Sequence, residues 1–139
     1  MKTNYLLDTN IISELGRLEP QKSVVDFVAS APIAWLSTIT LHELSYGMAL
    51  IPDGARQAAI SRMVSELVAA YSDYVLPVGE EVAQVSAALR ASAKQQGKVL
   101  HLADSLIAGT ARVHNLTVVT RNIKDFEGLD IPLENPFRH

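Results

Sequence analysis

Short apolar runs of strand length alternate along this chain with longer stretches in which apolar residues recur every three or four positions. That alternation constrains the fold more than any other feature. Residues 4–8, with Tyr5, Leu6 and Leu7 ahead of Asp8, read as a short buried strand, and "VVDFVAS" sets Val24, Phe27, Val28 and Ala31 at helical spacing after Pro20. "IAWLSTI" (33–39) reads as a second strand, and "TLHELSYGMAL" (40–50) as a helix with Leu41, Leu44, Met48 and Leu50 on or near one face. Past the "PDG" turn at 52–54, Ile60, Met63, Val64, Leu67 and Tyr71 predict a helix over about 55–72. "YVLPV" (74–78) is a third strand. Val82, Val85, Leu89 and Ala93 mark a helix with acids in its first turn, Lys94 in its last and Gly97 as its stop. Leu102, Leu106, Gly109 and Val113 mark the apolar face of the next helix, "LTVVT" (116–120) a β-branched strand, and "IPLEN" (131–135) a last edge strand. Strands that alternate with helices predict an α/β domain whose mostly parallel sheet is covered by helices on both faces.

The chain has 139 residues without repeats, low-complexity tracts or linkers, so one domain over residues 1–139 is expected. A net charge of −3 excludes binding of nucleic acid by whole-molecule electrostatics, and any such contact must be local. Cysteine is absent, which removes disulfides, thiolate nucleophiles and cysteine-ligated zinc. Tyr5, Leu6 and Leu7 fall short of a signal peptide's apolar segment, and no window approaches the ~18 apolar residues of a membrane span. A cytoplasmic protein without membrane contact is the expectation.

In open α/β sheets chemistry collects beyond the carboxyl ends of the strands. Asp8 sits at such an end, where it would also cap the helix that begins near Asn10. Glu43 follows the second strand, and Thr40-x-x-Glu43 has the form of a capping box. Asp104 lies near a helix start, off the apolar stripe, where the helix dipole favours an acid. Asp125 follows the strand that ends on Thr120 and by itself reads as a solvated residue or a turn cap. Each acid has an ordinary structural explanation, so the functional case is collective. Carboxylates gathered at one rim repel one another unless cations neutralise them, and Mg²⁺ or Mn²⁺ prefers such oxygen donors. Such a site suits phosphodiester hydrolysis.

Other chemistries lack their motifs. His42, His101, His114 and His139 show no His-x-x-x-His spacing, and there is neither a glycine-rich phosphate loop nor a G-x-S-x-G elbow. An aspartyl-phosphate enzyme needs a second acid near the first strand-end Asp, but Thr9 and Asn10 follow Asp8.

"LLDTNIISEL", "STITLHELSYG" and "ADSLIAGTARVHNLTVVTRNIKDF" followed by "NPF" resemble, in this order and spacing, the PIN-domain ribonucleases, and within them the VapC-type toxins of bacterial toxin–antitoxin pairs. The resemblance covers nearly the whole chain. It implies a three-layer α/β/α sandwich that cleaves RNA with Mg²⁺ or Mn²⁺ at an acidic cluster. Carried over by position, Asp8, Glu43 and Asp104 match the family's metal-binding acids, and Thr120 matches a hydroxyl that helps hold water or phosphate. Many members carry a fourth acid where this chain has Asn122. Either Asn122 orients a water-bridged ion through its amide oxygen or Asp125 supplies the missing charge. Arg121 and Lys124 are the first candidates for holding the RNA backbone, ahead of Lys94, Lys98 and Arg112. The resemblance further implies a homodimer and a VapB-like antitoxin in a groove that would include "VVDFVAS" and "LSYGMAL", with Tyr46 and Met48 as contacts.

Two readings follow. One is a metal-dependent endoribonuclease acting as a toxin, with Asp8, Glu43, Asp104 and Asp125 catalytic and Thr120, Arg121 and Asn122 on the substrate. The other is a catalytically weak PIN-like binding module, a partner surface or RNA scaffold, for which the departure at Asn122 speaks.

Overall fold

The computed structural model describes residues 3–138, so His139 lies outside the described residues. The chain runs β1 (Tyr5–Leu7), α1 (Thr9–Leu15), α2 (Lys22–Ser30), β2 (Ala34–Ser37), α3 (Thr38–Ala49), α4 (Ala55–Ala70), β3 (Val75–Leu76), α5 (Glu80–Gln95), α6 (Leu102–His114), β4 (Thr117–Val119) and β5 (Leu133–Glu134). Short 3-10 turns occupy Ile123–Asp125 and Pro136–Arg138.

The five strands form one sheet in the order β3-β2-β1-β4-β5, and every pairing is parallel. Leu6 and Leu7 are both fully buried, because β1 is the central strand and successive side chains enter opposite faces. Leu6 joins Val118, Leu89, Ile107 and Phe126 in a core under α5 and α6. Leu7 joins Val119, Leu36, Ile12, Val24, Leu44 and Val64 in a second core built with α1 to α4. The result is the expected three-layer sandwich, helices on both faces of the sheet.

Strand order decides where a site can form. From β1 the chain lays β2 and β3 on one side, then returns to place β4 and β5 on the other. A crevice therefore opens beyond the carboxyl ends of β1 and β4, where the order reverses.

Two sequence expectations change. Helix α3 begins at Thr38 because Ser37 ends the strand and caps the helix, its Oγ accepting from Ile39 N at 3.1 Å. Thr40 is thus inside the helix and fully buried, and no Thr40–Glu43 capping box forms. Leu102, expected on the apolar face of α6, is the first helical residue and 57% exposed. The buried face is carried by Ser105, Ile107, Ala108, Gly109, Thr110 and Ala111, since α5 and the sheet enclose α6 from two sides.

At the α5–α6 contact Gly109 leaves room for Ser86: an added Cβ would overlap Ser86 Oγ and lie 3.0 Å from Val82 O. The Ser86 hydroxyl is buried without a hydrogen-bond partner among the described residues. Helix α5 ends as its sequence suggests. Gly97, at φ +79°, donates to Lys94 O at 3.0 Å and Lys98 N to Ala93 O at 2.9 Å, a Schellman closure that favours glycine. Among the described residues no helix is long and apolar enough to cross a membrane.

Candidate active site

Asp8 is where β1 stops and α1 starts. Its backbone is extended (φ −70°, ψ 160°) and Oδ1 accepts from Thr9 N at 2.8 Å, so this residue is itself the helix cap. Oδ2 accepts from the Thr120 hydroxyl at 2.9 Å and from Asn10 Nδ2 at 3.3 Å. Capping and site-building thus coexist on one side chain. Burial pushes the Asp8 pKa above the ordinary carboxylate value, opposed by these three hydrogen bonds and reinforced by the charge of Glu43.

Glu43 projects from α3, half-buried, and Oε1 accepts from Thr9 Oγ1 at 2.6 Å. Thr9 therefore ties two acids, Asp8 through its backbone and Glu43 through its side chain. Asp104 is the third residue of α6, and among the described residues nothing donates a hydrogen bond to its carboxylate. Its pKa is raised from 3.8 to about 6, first by burial and then by the charges of Asp8, Asp125 and Glu43, with His101 pulling the other way. Asp125 closes the first 3-10 turn, exposed. Four acids from four separate segments thus act on one another.

None of the four is in an ion pair: the salt bridges among the described residues are Arg17–Glu14 and Lys22–Asp26. An uncompensated group of hard oxygen donors is the chemistry that suits Mg²⁺ or Mn²⁺. No three His, Asp or Glu side chains among the described residues form a group that could hold an ion as they stand. Mg²⁺ keeps several waters and takes only one or two carboxylates directly, so Asp8, Glu43 and Asp104 would hold it partly through water.

The structure distributes the other expected residues unevenly. Thr120, matched to a position that holds water or phosphate, is fully buried; its hydroxyl donates to Asp8 and accepts from Asn122 N at 3.0 Å. It positions Asp8 and does not face the crevice. Asn122 and Arg121 are exposed, and Arg121 N donates to Asn10 Oδ1 at 3.1 Å. Lys124 and Lys94 are exposed too. Lys98 and Arg112 serve the fold instead: Lys98 Nζ donates to Glu127 O at 3.5 Å, and Arg112 donates to the carbonyls of Leu129 and Asp130. Exposed His42 lies parallel to Tyr46, ring centroids 6.4 Å apart.

Asn10, which is not among the site candidates read from the sequence, bonds Asp8, Thr120 and the Arg121 backbone in one network. The available signal was the unbroken polar run Asp8-Thr9-Asn10 directly after a buried strand. Within "VVDFVAS" Val24 is fully buried and Phe27 packs edge-on against Tyr5 at 5.1 Å, whereas Val25 is exposed. A groove of about 900 Å³ lies between the end of α1, α3 and α4, lined by Leu44, Met48, Ile60, Met63 and Val64, with Glu43 on its wall.

The PIN domain family model matches residues 5–131. The chain belongs to the PIN-domain family. The VapC ribonuclease Y4jK of Sinorhizobium fredii is similar to this PIN domain, 38% identical over 95% of this chain and 96% of that protein. The toxin FitB of Neisseria gonorrhoeae is also 38% identical, over 95% and 97% of the two chains. The crystal structure of FitAcB from Neisseria gonorrhoeae superposes on the PIN domain with a TM-score of 0.87 at 37% identity, covering 97% of this chain and 99% of that one. Asp8, Glu43, Asp104 and Asp125 fall inside the matched span, whereas the 3-10 turn at Pro136–Arg138 lies beyond it.

Proposed function

We propose that this PIN domain, a single domain over residues 1–139, is a metal-dependent endoribonuclease that acts as the toxin of a toxin–antitoxin pair in the cytoplasm. The observation that carries the reading is the cluster of Asp8, Glu43, Asp104 and Asp125 at the switch point of the sheet, without a salt bridge among the described residues. Similarity to a VapC ribonuclease and to the toxin FitB supports RNA as substrate and growth inhibition as outcome.

Asp8, Glu43 and Asp104 would hold Mg²⁺ or Mn²⁺. The bound ion supplies a lowered pKa for the attacking water and neutralises charge developing on the phosphate. The protein's own part is positioning. Three donors fix both oxygens of Asp8, and the Thr9 hydroxyl fixes Glu43. Asp104, whose carboxylate accepts from no donor among the described residues, keeps its oxygens free for the ion and its water, and the proton released as water attacks phosphorus passes to solvent. The ester P–O bond then breaks, and the departing RNA oxygen is protonated from solvent. The apolar groove between α1, α3 and α4 suits an amphipathic antitoxin helix that reaches Glu43, and the active species would be a homodimer.

The second reading, a catalytically weak binding module, rests on Asn122 standing where many members have a fourth acid. Purified protein separates the two. The ribonuclease reading expects Mn²⁺-dependent cleavage and Mn²⁺-dependent thermal stabilisation, both lost in D8N with its circular dichroism unchanged. Cleavage retained in a folded D8N/D104N double variant would sink it. Sequencing RNA ends after expression of wild type and D8N then reads out the target.

A further inference from the structure

The last described segment does something that no acid of the cluster requires. Phe137, in the 3-10 turn Pro136–Arg138, presents its ring to Arg121, whose guanidinium carbon lies 4.7 Å from the ring centroid. The aromatic residue is itself fastened. Gln21 Nε2 donates to Phe137 O at 2.9 Å, Phe137 N donates to Asn135 Oδ1 at 3.0 Å, and the ring packs on the core of α1 to α4. Arg121 is held along its backbone as well, N–H to Asn10 Oδ1 at 3.1 Å and carbonyl accepting from Asn135 Nδ2 at 3.4 Å.

This placement runs against simple electrostatics. Arg121 directly follows Thr120, which touches Asp8, yet its guanidinium pairs with none of the four acids. It is likewise absent from the charges that act on Asp8 or Asp104. A flexible arginine beside several unpaired carboxylates ordinarily folds onto them as a charge-assisted pair. Here an aromatic face holds it away. The cation–π contact spends none of the guanidinium N–H donors, which match phosphate oxygens, and Arg121 is exposed.

We infer that Phe137 is a positioning residue that keeps the Arg121 guanidinium off the carboxylate cluster and presents it to a backbone phosphate of the bound RNA strand. The inference rests on the ribonuclease reading and deepens it: the C-terminal turn builds part of the substrate site.

The test is a double-mutant cycle on the full chain with R121A, F137L and R121A/F137L, plus F137W. Cleavage of a fluorogenic single-stranded oligoribonucleotide gives KM and kcat, and thermal shift with Mn²⁺ alone gives a readout independent of turnover. R121A should raise KM about fivefold at nearly unchanged kcat, as loss of one phosphate contact does. F137L should raise KM about two- to fivefold, the span of an exposed cation–π contact. The double variant should be no worse than R121A, and F137W should stay within about twofold of wild type. In F137L the released arginine reaches the acids, so the Mn²⁺ shift shrinks, and R121A/F137L restores it.

Wild-type KM in F137L, effects that multiply in the double variant, or equal losses in F137L and F137W overturn the inference. If F137L does not fold, R121K on native Phe137 carries the test: the ammonium keeps the charge without the stacked fork, and an unchanged KM overturns the inference. A wild type that cleaves no RNA with Mn²⁺ overturns the proposed function and this inference with it. A wild type that cleaves, with F137L indistinguishable from it, overturns this inference alone.

Discussion

Substituting Asp104 by asparagine should make the metal-free protein more stable. The carboxylate is half-buried and lies among three others, and its pKa is raised from 3.8 to about 6, first by burial and then by Asp8, Asp125 and Glu43. At about 1.36 kcal/mol for each pKa unit, that rise sets a ceiling of about 3 kcal/mol on the cost of ionising it in the folded state. Water reaches a half-buried group, so screening trims the figure to roughly 1–2 kcal/mol. The sign follows from proton binding. Between pH 4 and 6 the folded state holds more protons than the unfolded one, so the wild type loses stability as pH rises through this window and levels off above it. D104N lacks that loss. In EDTA at pH 7.5 its Tm should exceed that of wild type by roughly 3–8 °C, at about 3–4 °C for each kcal/mol in a chain of this size. At pH 4 the two should converge. Saturating Mn²⁺ should reverse the order, because an ion at about a hundred times its Kd adds about 2.7 kcal/mol to the protein that binds it. Differential scanning fluorimetry from pH 4 to 8 checks the argument, and a D104N that is no more stable than wild type in EDTA at pH 7.5 refutes it.

Three further outcomes follow from geometry. T120V removes the buried hydroxyl that donates to Asp8 and accepts from Asn122 N, and should cost about 1–3 kcal/mol by urea titration, with T120S close to wild type. G109A should destabilise by about 1–3 kcal/mol, since its Cβ meets Ser86 Oγ and Val82 O. S86A removes a buried, unpaired hydroxyl and should rescue part of that loss in the double variant, read as a non-additive shift of the urea midpoint. N122D supplies the fourth acid that the family resemblance implies at this position and should lower the Kd for Mn²⁺ by calorimetry; an unchanged Kd would speak for Asp125 as the source of that charge.

Much of the fold was readable because its signals are local. Leu6 and Leu7 announce a strand buried on both faces, and Gly97 announces a helix end. Asp8 was readable twice over, as a cap and as a strand-end acid, and in the structure Oδ1 caps the helix while Oδ2 accepts from Thr120. What escaped was set by contacts between distant segments. Thr9 binds Glu43 across 34 positions and Asn10 binds Thr120 across 110, and no spacing rule connects such pairs. Leu102 misled because its residue type fits a buried stripe, while its place at the first turn of α6 leaves it in water. The capping box at Thr40 failed for a similar reason: Ser37, a better-placed cap, starts the helix three residues before Thr40 could.

The central strand of this sheet is the first to be made and among the last to be completed. β1 finds β2 soon after synthesis, but its other edge stays open until Thr117–Val119 exist, and Asp8 waits for the hydroxyl of Thr120, 112 positions later. Chains grow from the N-terminus at about 5–20 residues per second, and contacts of such long range close late. A nascent chain short of β4 therefore carries Asp8, Glu43 and Asp104 without the strand and the Thr120 hydroxyl that set Asp8, so the order of synthesis delays the site's geometry until residues 117–120 have been added.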